Sequence, residues 1–132
     1  MRRLLDTDTC IALIRFRQPS VLRHLLEYLP GEVGLSAITL AELTYGVRKS
    51  QQPERNAAAL EQFLLPLVVA PFDDAAAEAY GSIRAYLESQ GTPIGPLDTL
   101  IAAHALSLDV PLITHNVGEF GRVPGLAVED WL

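Results

Sequence analysis

Four acids of the 132-residue chain stand where a carboxylate is out of place. Asp6 ends the first apolar run, Leu4-Leu5. Glu42 follows Ile38 by four residues and precedes Tyr45 and Gly46 by three and four, so its helical face is partly apolar. Asp98 heads a stripe of Ile101, Ala102 and Ala105 at helical spacing. Glu119 comes a few residues after the apolar run that ends in Thr114. Each acid also has a plain structural reading. Asp6 and Asp98 could cap helices, Glu42 could snorkel to water, and Glu119 could be a surface acid. Taken together, four convergent carboxylates imply chemistry. At about 5 Å and an effective dielectric near 20, each like-charged pair costs about 3 kcal/mol unless protons or a divalent cation offset it. Oxygen donors and a single cysteine, Cys10, favour a hard cation, Mg²⁺ or Mn²⁺. Such a cation polarises a phosphoryl oxygen and activates water for in-line attack. With no serine or cysteine nucleophile beside the acids, the chemistry implied is metal-dependent phosphodiester hydrolysis.

These acids need a scaffold, and the sequence supplies one. Short apolar segments at residues 2–5, 33–35, 67–69, 112–114 and 126–128 read as strands. Helical patterns lie between them. Pro19, Pro53 and the stretch at Leu97–Asp98 open helices, and Ser36 and Asp73 are good N-caps. Leu22, Leu25, Leu26 and Leu29 form the expected inner stripe of one helix, and Ala76, Tyr80, Ile83 and Leu87 that of another. Strands alternating with helices predict a three-layer α/β fold, a short-stranded parallel sheet flanked by helices, as one domain over residues 1–132. In such folds ligands bind beyond the carboxyl ends of the strands, which directs attention to Asp6 and the stretch after Thr114.

Composition narrows the classes. Apolar residues make up 49% and charged residues 20%, which excludes a disordered chain. One cysteine excludes an internal disulfide and a multi-cysteine zinc site. Asp6 and Asp8 interrupt the N-terminal apolar run, so neither a signal peptide nor a membrane span is expected, and the expected location is the cytoplasm. The net charge of −6 argues against a non-specific nucleic-acid binder. Eight of the ten basic residues nevertheless lie in the first half. Among them Arg15, Arg17 and Arg48 are candidate phosphate contacts. His115 lies near the site in sequence but has no evident partner there, and His24 reads as a surface residue.

The blocks Leu4-Leu5-Asp6-Thr7-Asp8-Thr9-Cys10, Ser36-Ala37-Ile38-Thr39-Leu40-Ala41-Glu42-Leu43-Thr44-Tyr45-Gly46, Gly95-Pro96-Leu97-Asp98 and Thr114-His115-Asn116 through Glu119-Phe120 resemble the PIN-domain ribonucleases of the VapC toxin type. They occur in that family's order and span nearly the whole chain. The resemblance implies that Asp6, Glu42, Asp98 and Glu119 are the catalytic acids, with Asp6 and Asp98 the principal Mg²⁺ ligands. It also implies an endoribonuclease that forms homodimers and is neutralised by a VapB-type antitoxin whose tail enters the active-site groove. The enteric branch this chain most resembles cleaves initiator tRNA in its anticodon stem-loop. Two positions depart from the pattern. Many members carry asparagine where this chain has Asp8, and other branches carry an aspartate where it has Asn116. Asn116 could there hold a metal-bound water or a phosphate.

Two rival readings remain. Asp6-Thr7-Asp8-Thr9 after an apolar strand resembles the phosphatase motif of the haloacid dehalogenase family, with Asp6 as nucleophile and Asp8 as acid–base. That chemistry needs a late lysine, and the only lysine is Lys49. The other rival is a non-catalytic module whose acids dock a basic partner.

Overall fold

A computed structural model describes residues 1–132. Five strands, β1 (Arg3–Leu5), β2 (Val33–Ser36), β3 (Val68–Ala70), β4 (Leu112–Ile113) and β5 (Val128–Glu129), form a parallel sheet in the order β3-β2-β1-β4-β5. Seven helices accompany them: α1 (Thr7–Phe16), α2 (Pro19–Leu25), α3 (Ala37–Arg48), α4 (Pro53–Leu64), α5 (Asp74–Ser89), α6 (Pro96–Leu108) and the short α7 (Val117–Phe120).

The two-residue period of a strand divides the core. Leu4 and Leu112 face α5 and α6 in one cluster with Ile83, Leu87 and Ile101. Their neighbours Leu5 and Ile113 face the other way, into a cluster with Leu13, Val21, Leu35, Leu43 and Leu60. Helices thus cover both faces, giving the three-layer α/β arrangement expected from the strand–helix alternation. No helix is long and apolar enough to cross a membrane.

Local chemistry sets where helices begin. The side chains of Asp6, Ser36 and Asp73 accept hydrogen bonds from Thr9 N, Ile38 N and Ala76 N at 2.8, 3.0 and 3.0 Å, capping α1, α3 and α5. Pro19, Pro53 and Pro96 open α2, α4 and α6, where a missing N–H costs nothing. Gly34 is required by contact rather than by turn geometry. A Cβ there would stand 2.5 Å from the Val68 carbonyl oxygen and 2.5 Å from the Met1 sulfur.

The order of strands creates the site. From central β1 the chain moves outward to β2 and β3, then returns to place β4 and β5 on the other side of β1. The carboxyl ends of β1 and β4 flank the point where the order reverses, and connections diverge there to leave a crevice.

Three expectations are corrected. The stripe on α2 does not point inward as a whole. The helix ends at Leu25 and the following turns leave Leu26 and Leu29 74% and 72% exposed, while Val21 supplies the buried contact. His24 is not a free surface residue, because its ring stacks on Trp131 at 5.3 Å. The last strand falls at Val128–Glu129 rather than 126–128, since its pairing partners are Leu112 and Ile113.

Candidate active site

Asp6 leaves the end of β1 with its N–H bonded to the Ile113 carbonyl of β4 at 3.0 Å, which fixes it in the crevice. It is 4% exposed. One carboxylate oxygen caps α1 through Thr9 N, so the capping role and a role in the site coexist in one side chain. Burial raises its pKa, opposed by the Thr114 and Thr9 side chains and the Thr9 N–H, with Asp8 adding a smaller upward push.

Asp98 lies in the first turn of α6. Its pKa is pushed up to about 7, first by burial, then by the charge of Glu119 and a hydrogen bond shared with it, then by Asp6 and Glu42. Glu119, Asp6 and Glu42 each lie near enough for their charge to act on Asp98.

Glu119 projects from α7. Its Oε1 accepts from Gly95 N at 2.9 Å and its Oε2 from Asn116 Nδ2 at 2.6 Å. The Gly95 N–H is the leading cause of its lowered pKa. The two shifts run in opposite directions, so Asp98 is the member of the pair that takes up a proton first as pH falls. Gly95 brings its backbone against both groups. A methyl there would lie 3.4 Å from Asp98 Oδ2 and 3.7 Å from Glu119 Oε1.

Glu42 is half-buried in the middle of α3. The Thr7 hydroxyl donates to its Oε1 at 2.6 Å and also lies 3.2 Å from the Thr39 hydroxyl. None of the ion pairs in the chain includes Asp6, Glu42, Asp98 or Glu119. Hydrogen bonds rather than ion pairs hold Asp6, Glu42 and Glu119.

The basic candidates stand further out. Arg15, in the last turn of α1, lines a groove of about 120 Å³ between α1, α3 and α4 that Glu42 also borders. Arg48 is exposed at the end of α3, and Arg17 caps α1 in a left-handed conformation, φ 44°. Only Arg15 shares a surface with one of the four acids. Asn116 is exposed and its amide is engaged by Glu119. Asp8 faces solvent in the first turn of α1.

Sequence reasoning missed the residues that hold the acids. Thr7, Gly95 and the Thr114 side chain were quoted within motifs but given no role, because their partners are remote in sequence. His104 is a further link: its Nδ1 lies 2.7 Å from Ser36 Oγ, tying α6, which carries Asp98, to the cap of α3, which carries Glu42.

The donor set suits a hard divalent cation. It consists of carboxylate oxygens without thiol or imidazole, and Asp98 bears an electrostatic load that a cation would relieve. No three histidine, cysteine or acid side chains close on one point as a tight cage. The fit is therefore to an ion that retains water and uses one or two carboxylates.

Likeness to known proteins shows the family. The model of the PIN domain matches residues 3–126. A tRNA(fMet)-specific endonuclease VapC of Shigella flexneri is 44% identical over 131 residues, 99% of this chain and 98% of that protein. The protein of the same name from Salmonella typhimurium is likewise 44% identical, over the same shares. Among solved structures, DNA-bound VapBC from Salmonella typhimurium superposes with a TM-score of 0.96 at 42% identity, covering 100% of this chain and 99% of that one. VapBC2 from Rickettsia felis, bound to a DNA fragment from its promoter, gives a TM-score of 0.95 at 36% identity over 100% of both chains. The chain belongs to the PIN-domain family, and within it to the VapC type.

Proposed function

We propose that the protein is a Mg²⁺-dependent endoribonuclease, the toxin of a toxin–antitoxin pair, that hydrolyses a phosphodiester in a structured RNA such as tRNA. The observation that carries this reading is the match to the PIN domain over residues 3–126, with Asp98 and Glu119 brought together against the Gly95 backbone. The 44% identity to tRNA(fMet)-specific endonucleases supports tRNA as the substrate. Structural likeness to toxins in VapBC complexes supports a VapB-type antitoxin as partner. Homodimerisation and a cytoplasmic location complete the reading.

Asp6 and Asp98 would hold the ion, Mg²⁺ or Mn²⁺. Glu42 and Glu119 complete the negative lining. When bound, the cation neutralises charge on the phosphoryl oxygens and lowers the pKa of the attacking water. The chain's own part is positioning. Thr7 orients Glu42, Gly95 N–H and Asn116 orient Glu119, and the cap to Thr9 fixes Asp6. Arg15, Arg17 and Arg48 draw RNA phosphates towards an otherwise acidic surface. The phosphatase alternative gains no support from Lys49, whose ammonium sits over the Tyr45 ring at 4.9 Å, past the C-terminus of α3.

Incubation of purified protein with total tRNA, with and without Mg²⁺, followed by end mapping, tests the reading. New discrete ends that require Mg²⁺ and vanish in Asp98→Asn are expected. Intact tRNA under all conditions, or p-nitrophenyl phosphate hydrolysis lost in Asp6→Asn, would refute it.

A further inference from the structure

His115 lacks a sequence neighbour that could act with it, yet the fold supplies one. Asp130, just past β5, comes beside the loop that leaves β4, and its Oδ2 lies 3.0 Å from His115 Nδ1. Its other oxygen accepts from Leu132 N at 3.0 Å, so the carboxylate is anchored at both ends. The imidazole side chain remains 68% exposed, and its Nε2 makes no hydrogen bond within the chain. This pairing fixes the ring and leaves one nitrogen for a ligand.

The pair lines a cavity of about 350 Å³ together with Asp8 and the apolar Ala12, Val21 and Trp131. That volume is within the roughly 300–1,000 Å³ of small-ligand sites. The cavity adjoins the acid cluster through Asn116, which lines it and donates to Glu119. No lysine or arginine lines it, so His115 is its one side chain able to carry positive charge. An apolar wall with hydrogen-bonding carboxylates and one cation-forming ring matches a nucleotide: a flat base, a sugar and a phosphate.

We propose that this cavity seats the nucleotide next to the scissile phosphate, with His115, oriented by Asp130, holding that nucleotide's phosphate. The inference rests on the ribonuclease reading and adds a substrate subsite to it. Asp130 acts through His115 and is a positioning residue.

The test has two arms. In the first, steady-state cleavage of total tRNA with Mg²⁺ is compared for wild type, His115→Ala, His115→Lys and Asp130→Asn. One charge-assisted hydrogen bond lost predicts a rise in KM of about tenfold for His115→Ala with kcat nearly unchanged. His115→Lys should recover most of the loss, and Asp130→Asn should fall between wild type and His115→Ala. In the second arm, fluorescence anisotropy with labelled tRNA is read in an Asp98→Asn background, which needs no cleavage. Adding His115→Ala there should weaken Kd by the same factor, with an unchanged melting temperature. Unchanged KM and Kd in His115→Ala would overturn the subsite. So would a weakened antitoxin complex alongside unchanged RNA affinity, which would assign the cavity to the protein partner. Failure of wild type to cleave RNA would sink the ribonuclease reading instead, while the anisotropy arm still decides whether His115 binds RNA.

Discussion

Asp6 and Asp98 face one crevice but are held in contrary ways. Asp6 is the more deeply buried, and the Thr9 N–H and the side chains of Thr9 and Thr114 compensate its charge from within the chain. Asp98 is half-buried, and its pKa is shaped by burial and by neighbouring acids. The difference separates a carboxylate built into the scaffold from one whose charged form its surroundings disfavour. Removing Asp6 should damage both fold and activity, whereas removing Asp98 should damage activity alone.

Cleavage should divide the two acids least and fall furthest. Asp98→Asn and Asp6→Asn should each reduce Mg²⁺-dependent RNA cleavage by more than about a hundredfold, beyond the 10–100-fold typical of groups that merely orient a metal ligand. Undiminished cleavage by Asp98→Asn would dissolve the distinction.

Melting in chelator should then set them apart. Asp6→Ala loses a helix cap and should cost about 1 kcal/mol. Asp98→Asn should raise stability at pH 8. The folded-state pKa of Asp98, about 7, lies above its ordinary value of 3.8. A raised pKa contributes stability fully present below the ordinary value and lost as pH rises through the folded one. The metal-free wild type should therefore weaken between about pH 4 and 7, and Asp98→Asn should flatten that slope. Three units would be worth about 4 kcal/mol if sealed from water; at a half-buried group screened by solvent, about 1–2 kcal/mol is expected. The lowered pKa of Glu119 works in the other direction, and its contribution fades only as pH falls below its ordinary 4.5. A divalent cation should abolish the Asp98 slope.

A smaller effect concerns the residues that hold the acids. Thr7→Val removes the donor to Glu42 Oε1 and should weaken Mg²⁺ activation about tenfold, read as the ion concentration for half-maximal cleavage. Asn116→Ala should have a milder effect, since Gly95 N–H still holds the other oxygen of Glu119.

What could be read from residue order was what repeats or sits at a boundary. Ser36 and Asp73 were legible as caps, and Asp6 was legible as an acid at a strand end, because each signal lies within a few residues. The α2 stripe misled because leucine spacing does not tell where a helix stops, and here it stops at Leu25. The hold of Thr7 on Glu42 spans 35 residues, that of Gly95 on Glu119 spans 24, and that of Asp130 on His115 spans 15. Only packing brings such pairs together, and a motif can mark one end of a pair without naming the other.

The central place of β1 has a consequence for synthesis. The strand that leads into Asp6 is made before its neighbour β4 and the acid on α7, which come from residues 112–120. Translation runs from the N-terminus at about 5–20 residues per second. Until residues 112–120 have been made, a nascent chain has no completed crevice. A fragment that stops before residue 112 should therefore lack nuclease activity, because it carries neither β4 nor Glu119.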